Sequence, residues 1–168
     1  MESLKRSFAP VVDACTRVLV LGSLPGEQSL ARRQYYGNPR NQFWRLIGAV
    51  AGRDLVPLPY EARLAALLET GIGLWDTVAS ATRRGSLDAA IRDREVNDLA
   101  RLAEALPQLK AVGFNGGTSA ATGVPRLSEL PGLALLVLPS SSPAYTLSFE
   151  AKLERWMTLR PFLPVCSA

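Results

Sequence analysis

The segment from Gln34 to Leu46 groups side chains that suit the binding of a planar, hydrogen-bonding ligand. Its sequence, QYYGNPRNQFWRL, holds two tyrosines, two asparagines, a phenylalanine and a tryptophan. A carboxamide offers both a donor and an acceptor, and a phenol ring offers a face for stacking. Because Gly37 and Pro39 interrupt helical structure, the pattern predicts a polar, aromatic loop.

The chain contains no histidine and only two cysteines. The lack of histidine excludes Ser-His-Asp and Cys-His catalysis, imidazole acid–base chemistry and His-ligated metals. Cys15 and Cys166 stand near opposite ends without metal-ligand spacing, so we expect free thiols and no metal site. Any reaction must therefore use carboxylates, amides, hydroxyls, phenols or cations.

The composition predicts one folded domain over residues 1–168, since 48% of the residues are hydrophobic and 20% are charged. No apolar run approaches the roughly 18 to 20 residues of a membrane span, and the N-terminus lacks the apolar region of a signal peptide. We therefore expect a cytoplasmic protein. A net charge of +4 permits a polyanionic partner without requiring one.

Short apolar runs alternate with helical patterns along the chain. The expected strands are Thr16–Leu21, Ile72–Trp75, Leu109–Phe114 and Leu133–Leu138. The expected helices are Phe43–Ala51, Tyr60–Glu69, Asn97–Leu106 and Phe149–Phe162. Nearly continuous apolar strands between helices predict an α/β fold, with three α/β/α layers around a central four-stranded parallel sheet. Residues 79–94 are polar and basic and carry no clear pattern.

Each expected strand is followed by small and polar residues. The turns read GSLPG, WDT, NGGTSA and PSSSPAY in chain order. The carboxyl ends of strands in an open α/β sheet form a binding crevice, so these turns should meet the Tyr35–Asn41 loop there. The residues expected to converge are Ser23, Asp76, Asn115 and Ser140–Ser142. Each is also an ordinary turn residue, so the prediction rests on the four turns together.

Two common nucleotide and hydrolase patterns do not occur. The glycine-rich turns match neither G-x-G-x-x-G nor the P-loop. The serines of PSSSPAY lack a G-x-S-x-G elbow and a histidine to activate them. Phosphate cradling and serine nucleophile chemistry are therefore poorly supported.

The ordered set of motifs resembles the uracil-DNA glycosylase superfamily over about residues 16–150. GSLPG looks like the first motif, Gly-x-x-Pro-Gly, and LPSSSPAY resembles the second, a loop that presses on the DNA minor groove. PRNQFW is similar to the Pro-x-Asn-x-Phe-Trp signature of the mismatch-specific branch. GIGLWDT stands where those enzymes carry a base-recognising residue, and FNGGTSA takes the place of the third-strand turn.

The departures from the superfamily pattern point to one branch. The first motif has Ser23 and Leu24 where the classical enzymes carry Asp, Asn or Glu, and the second opens with Leu138 instead of His. The tyrosine- and asparagine-rich string looks most like the hypoxanthine-DNA glycosylase branch. There an asparagine of the string is thought to replace the missing first-motif residue. Asn38 matches that position, and Asn41 is the fallback.

The resemblance implies roles for the residues that bind the base. A glycosylase flips its nucleotide out of the stack, and Tyr36, with Tyr35 in reserve, would stack on the base for roughly 1 to 3 kcal/mol. Asp76 and Asn115 would read the base edge. The first-motif residues Ser23 and Leu24 complete the expected base pocket.

Asn38 would hold the attacking water and stabilise an oxocarbenium-like transition state. Asp76 is the alternative base, and either residue, like Asn41 as an N-cap, could instead be structural. Ala144 or Tyr145 would press into the gap left by the base. The residues expected to contact DNA are Arg40, Ser140, Ser141, Ser142, Pro143, Ala144 and Tyr145.

The sequence thus predicts a monofunctional DNA glycosylase that acts on hypoxanthine or uracil in DNA, as a monomer and without metal or cofactor. The lysines, Lys5, Lys110 and Lys152, lie outside the expected site loops, so strand cleavage by β-elimination is not expected. Two alternatives stay open: a weak or inactive nucleic-acid-binding module of the same fold, and a small-molecule nucleosidase.

Overall fold

The computed structural model describes residues 3–83, 86–87 and 92–164. The strands are β1 (Ser3–Arg6), β2 (Val18–Gly22), β3 (Ile72–Asp76), β4 (Val78–Arg83), β5 (Arg92–Val96), β6 (Ala111–Asn115) and β7 (Ala134–Leu138). The helices are α1 (Glu27–Arg32), α2 (Phe43–Ala51), α3 (Tyr60–Thr70), α4 (Leu99–Ala105), α5 (Gly117–Leu127) and α6 (Phe149–Trp156), followed by a 3₁₀ helix (Met157–Phe162).

A four-stranded sheet forms the centre of the fold, in the order β3-β2-β6-β7. All three strand pairs are parallel. Every residue of β2 is buried, as expected for a central strand covered on both faces. The predicted α/β fold is therefore confirmed, and each predicted strand starts within two residues of its observed position.

Alternating side chains of β2 supply the two apolar cores. Val18 and Val20 face the layer formed by α2, α3 and α6, where Phe43 and Trp156 are fully buried. Leu19 and Leu21 face the other layer, which α4 and α5 cover. Successive strand residues point to opposite faces, so one short apolar run anchors both helical layers.

Local signals account for the helix ends. Asp98 and Ser148 accept backbone N–H bonds at the starts of α4 and α6. Gly52 and Gly71 take left-handed conformations that end α2 and α3. The helix predicted over 149–162 is α-helical only to Trp156 and then becomes 3₁₀, because Pro161 has no N–H to continue it.

The structure also contains a second, antiparallel sheet in the order β1-β4-β5, which the sequence analysis did not predict. No element was predicted over residues 79–94, yet most of β4 and of β5 lies there. β5 is charged and β4 consists mostly of small and polar residues, so both lack the apolar continuity that marked the central sheet. Helices α1 and α5 were also missed, the latter because its glycines, Thr118, Thr122 and Pro125 are poor helix formers.

The parallel register brings four strand ends to one edge. Gly22 pairs with Asp76, and Asn115 pairs with Leu138. Each pair stands at the carboxyl end of its strands. The polar turns that follow therefore start side by side, as the sequence predicted.

Two glycines of α5 test how tightly this helix packs on β6. A Cβ at Gly123 would overlap the ring of Phe114, whereas a Cβ at Gly117 would meet nothing within 4 Å. We expect Gly123→Ala to lower the free energy of unfolding by about 1 to 3 kcal/mol through overpacking. Gly117→Ala should be neutral or stabilising by up to about 1 kcal/mol. Urea denaturation of both variants makes the comparison, and equal effects would contradict the packing.

Candidate active site

A pocket of about 470 Å³ opens at the carboxyl edge of the parallel sheet. Its volume lies within the range of about 300 to 1,000 Å³ that is usual for small-ligand sites. The predicted site residues that line it are Ser23, Leu24, Tyr35, Tyr36, Asn38, Asn41, Asp76, Asn115, Ser140, Ser141, Ser142, Pro143, Ala144 and Tyr145. The structure thus brings the four turns and the aromatic loop together. Arg40 is exposed and lies outside the pocket lining.

The absence of a side chain at Gly22 leaves room for the Asp76 carboxylate and the Tyr36 hydroxyl at the end of β2. A Cβ at this position would come within 2.6 Å of Asp76 Oδ1 and 3.0 Å of the Tyr36 hydroxyl. Asp76 is only 4% exposed, although its carboxylate lies at the pocket. The glycine therefore permits a buried carboxylate and a phenol hydroxyl to meet at the base of the site.

Tyr36 is held by a stacked neighbour and by an unusual backbone. Its ring stacks on Phe43 with centroids 3.8 Å apart and planes 14° apart. Its φ of 54° lies in the left-handed region, which a non-glycine residue adopts only when its surroundings impose it. Phe43 is fully buried, so the Tyr36 ring rests on a rigid part of the core.

Tyr35 belongs mainly to the core, although it also reaches the pocket wall. Its hydroxyl donates to the Ala9 carbonyl at 2.9 Å, and its ring meets Phe8 edge to face. Burial, and secondarily the charge of Asp76, raises the pKa of Tyr35 well above its usual range. Tyr35 therefore remains a neutral phenol, and its anchored ring leaves Tyr36 as the better-placed stacking residue.

The Asn115 carboxamide is occupied by protein groups. Its Nδ2 donates to the Tyr36 hydroxyl at 3.2 Å and to Ser141 Oγ at 2.9 Å. Its Oδ1 accepts from the Ser141 N–H at 2.8 Å. Both donors and one acceptor position are therefore used. This geometry favours a role in holding Tyr36 and the β7 loop over the predicted reading of the base edge.

The two asparagines of the aromatic loop both form local turns. Asn38 Oδ1 accepts from the Arg40 N–H at 2.9 Å. Asn41 Oδ1 accepts from the N–H of Phe43, the first residue of α2, also at 2.9 Å. Asn41 thus forms a turn directly before α2, but the N-cap residue of this helix is Gln42 and not Asn41. Asn38 lies in a loop with no helix to cap, and it stays the stronger candidate for chemistry.

The loop after β7, residues 139–145, is fastened from several sides. The Ser141 carbonyl accepts from the Gln42 N–H at 3.0 Å, which joins this loop to the start of α2. The Ser142 carbonyl accepts from Lys152 Nζ at 3.1 Å. Lys152 is 1% exposed and lies 5.6 Å from the Tyr145 ring centroid. This loop is therefore braced, while Tyr145 itself is 48% exposed at the pocket.

Sequence reasoning missed Lys152, Ser86 and Leu87. Lys152 braces the β7 loop through the Ser142 carbonyl, and the pocket lining does not include it. Its spacing with Phe149, Leu153 and Trp156 placed it on the buried face of a helix, which was the available signal. Ser86 and Leu87 also line the pocket, and nothing in their local sequence indicated this.

Some predicted features fall outside the described residues. Part of the basic stretch 79–94 and the predicted free thiol Cys166 belong to the parts of the chain that the structure does not describe. In the described ranges, no three His, Cys, Asp or Glu residues are grouped as a metal site requires. No helix in those same ranges is long and apolar enough to cross a membrane.

Comparison with known proteins adds independent information. The model of the uracil DNA glycosylase superfamily matches residues 9–162. A hypoxanthine DNA glycosylase of Methanosarcina acetivorans is 45% identical over 141 residues, which cover 84% of this chain and 88% of that protein. A hypoxanthine DNA glycosylase of Methanosarcina barkeri is 42% identical over 152 residues, covering 90% of this chain and 95% of that protein.

A solved structure agrees with the fold. The solution NMR structure of a candidate uracil DNA glycosylase from Methanosarcina acetivorans superposes with a TM-score of 0.86. The two chains are 40% identical, and the match covers 95% of this chain and 99% of that one. The likeness therefore extends over the whole central sheet and its surrounding helices.

Asn115 and Asn38 should differ in how much each side chain contributes to the free energy of unfolding. We expect Asn115→Ala to lower the free energy of unfolding by about 2 to 4 kcal/mol, because buried partners lose hydrogen bonds at about 1 to 3 kcal/mol each. Asn38→Ala is the matched control and should cost about 1 kcal/mol or less. Urea denaturation compares the two variants. An Asn115→Ala variant as stable as the control would show that Asn115 does not hold Tyr36 and Ser141 in place.

Lys152 should make stability depend on pH in the alkaline range. Burial lowers the pKa of Lys152 from its ordinary value of 10.5. Between that lowered pKa and 10.5 the unfolded chain binds more protons, so raising the pH favours the folded protein. Below this window the cost of burying the charge is fully present.

The comparison with Lys152→Met isolates this effect. The free energy of unfolding of the wild type, minus that of Lys152→Met, should increase as the pH rises from about 7 to about 10.5. Chemical denaturation at several pH values measures the difference. A difference that stays constant or falls with pH would show that Lys152 is not held in the buried, charged state described here.

Proposed function

The chain belongs to the uracil DNA glycosylase superfamily, and we propose that it is a monofunctional DNA glycosylase of base excision repair. It hydrolyses the N-glycosidic bond of a deaminated base that is flipped out of DNA. Hypoxanthine is the proposed main substrate, because both curated relatives are named for it. The observation that carries the proposal is the meeting of Tyr36, Asn38 and Asp76 at one pocket.

The flipped base is proposed to stack on Tyr36. Phe43 supports the ring from behind at 3.8 Å, and Asn115 donates to its hydroxyl. The ring is therefore ordered before the base arrives, so little conformational entropy is lost on binding. The base meets the face of Tyr36 that is turned away from Phe43.

The Asp76 carboxylate is proposed to select the edge of the base. An ionised carboxylate only accepts hydrogen bonds. It therefore favours the N–H of a lactam such as hypoxanthine and disfavours a carbonyl in the same place. Its position at the end of β3, beside Gly22, aims it at the base of the pocket. Ser23 and Leu24 form the adjoining wall.

Asn38 is proposed to position the attacking water. The oxygen of this water bonds to C1′ while the bond from C1′ to the base breaks, and the bonding electrons leave with the base. The water loses a proton, and the departing base nitrogen takes one up through solvent. The Arg40 N–H fixes the plane of the Asn38 carboxamide. An amide is not a strong base at neutral pH, so catalysis rests on orientation and on stabilising the oxocarbenium-like transition state. Asp76 is the alternative group for activating water.

The loop Ser140–Tyr145, together with Arg40, is proposed to contact the DNA backbone and minor groove. Serine hydroxyls and backbone N–H groups commonly bind phosphates. The guanidinium of Arg32 donates to the Gly37 carbonyl at 2.9 Å, so it braces the aromatic loop. DNA binding should therefore depend on salt through Arg40 and other exposed cations more than through Arg32.

The reaction as proposed requires no cofactor or metal. Lys152 is buried behind the β7 loop, which places it poorly for attack on C1′ and supports a monofunctional enzyme. A single domain over residues 1–168, a monomeric state and action in the cytoplasm, at the nucleoid, complete the proposal.

The decisive assay uses oligonucleotides that carry one inosine, uracil or xanthine. The wild type should release the base and leave strands that break only after alkali. Asn38→Ala should lower the single-turnover rate by at least about 100-fold, since it removes a transition-state contact. Asn41→Ala is the matched control, and it should lose only the hydrogen bond of the turn before α2, about 1 kcal/mol. Asp76→Asn, assayed beside them, shows whether the carboxylate is needed for the rate or for choosing the base.

Other outcomes would point to the alternatives. Binding without release of any base would favour a nucleic-acid-binding module. Cleavage of free inosine would favour a nucleosidase. Strand breaks without alkali would show β-elimination, and an Asn38→Ala variant as active as Asn41→Ala would remove Asn38 from the mechanism.

A further inference from the structure

The small antiparallel sheet carries an apolar side chain to the mouth of the pocket. Leu87, between β4 and β5, lines the pocket and is 60% exposed. Exposing a leucine side chain to water is unfavourable. Here the exposed side chain lies beside the polar groups of the pocket that would bind a ligand. Leu4 is 55% exposed but lies on β1, away from the pocket lining. The placement of Leu87, more than its exposure, calls for an explanation.

The position of Leu87 is set by its neighbour Ser86. The Ser86 Oγ accepts from the Glu27 N–H at 2.8 Å. A Cβ at Gly26 would lie 2.9 Å from the same Oγ, so this segment packs closely on the loop after β2. Glu27 also forms an ion pair with Lys5 Nζ at 3.3 Å. Lys5 pairs with Ala81 of β4, which ties the loop after β2 to the small sheet.

The strand order places Leu87 and Tyr145 on different sides of the pocket. Leu87 is fastened to the loop after β2, whereas Tyr145 belongs to the loop after β7. In the sheet, β6 lies between β2 and β7. Neighbouring strands are roughly 4.8 Å apart, so the two loops start roughly 10 Å apart. Two exposed apolar side chains therefore border the pocket from separate loops.

On the basis of the proposed glycosylase function, we propose that Leu87 is an apolar wedge that packs against the DNA base pair next to the flipped nucleotide. Apolar side chains that enter a base step offset the loss of stacking when a duplex is opened. Leu87 does this from the β2 side and Tyr145 from the β7 side. The wedge is needed for duplex DNA, because a base in single-stranded DNA has no pair to open and little stacking to lose.

The test compares Leu87→Ala with Leu4→Ala, the same substitution at a similarly exposed site outside the pocket. Single-turnover release of hypoxanthine is measured from duplex and from single-stranded oligonucleotides of the same sequence. Leu87→Ala should slow release from the duplex by about tenfold and from the single strand by less than about twofold. Leu4→Ala should match the wild type on both substrates.

A second measurement does not depend on base release. With 2-aminopurine beside the inosine, opening of the stack on binding raises fluorescence, and Leu87→Ala should give a smaller rise than Leu4→Ala at saturating protein. Ser86→Ala, which removes the bond to the Glu27 N–H, should act in the same direction as Leu87→Ala and less strongly. Thermal melting checks that each variant is folded.

The outcomes separate the wedge from the glycosylase proposal. Equal duplex rates and equal fluorescence for Leu87→Ala and Leu4→Ala would overturn the wedge and leave the glycosylase assignment standing. Equal losses on duplex and single strand would also overturn it, since they indicate damage to the pocket itself. If the wild type released no base, the glycosylase proposal would fail, and the fluorescence comparison would still decide whether Leu87 opens the stack.

Discussion

The site depends on the close approach of a carboxylate and a phenol to a residue without a side chain. In the parallel pair β2 and β3, Gly22 is opposite Asp76, and the missing Cβ leaves room for Asp76 and Tyr36 together. A larger residue would displace one of them from the base of the pocket. The register of the two strands fixes Asp76 beside Gly22, and Phe43 and Asn115 hold Tyr36 against the same glycine. These two side chains are the groups proposed to meet a flipped base.

Buried hydrogen bonds then turn separate loops into one rigid site. Asn115 joins the end of β6 to Tyr36 and Ser141, and Gln42 and Lys152 hold the β7 loop through backbone carbonyls. Such groups are costly to bury unless they are satisfied, so each contact favours one arrangement of the loops. In the proposed mechanism, in which an amide positions the water, this preorganisation would supply much of the rate enhancement.

The antiparallel sheet extends the site beyond the pocket. It shares no strand with the central sheet. However, only Thr77 separates β3 from β4, and Ser86 accepts a hydrogen bond from the Glu27 N–H, just after the loop that follows β2. The two proposals together assign base recognition to the central sheet and contact with the flanking DNA to the antiparallel sheet. Under these proposals, substitutions in β4 and β5 would alter the response to duplex DNA more than the binding of the base.

The amino-acid sequence alone determined the central sheet, the edge at which its turns meet, and most of the residues that line the pocket. It could do so because apolar runs report burial locally and because parallel strands place their carboxyl ends together. Only the tertiary structure decided that β1, β4 and β5 pair, that both donor positions of the Asn115 amide bind Tyr36 and Ser141, and that Lys152 braces a loop. Those features depend on which distant segments meet. Neither the pairing of short polar strands nor the choice of hydrogen-bond partner produces a periodic pattern in the sequence.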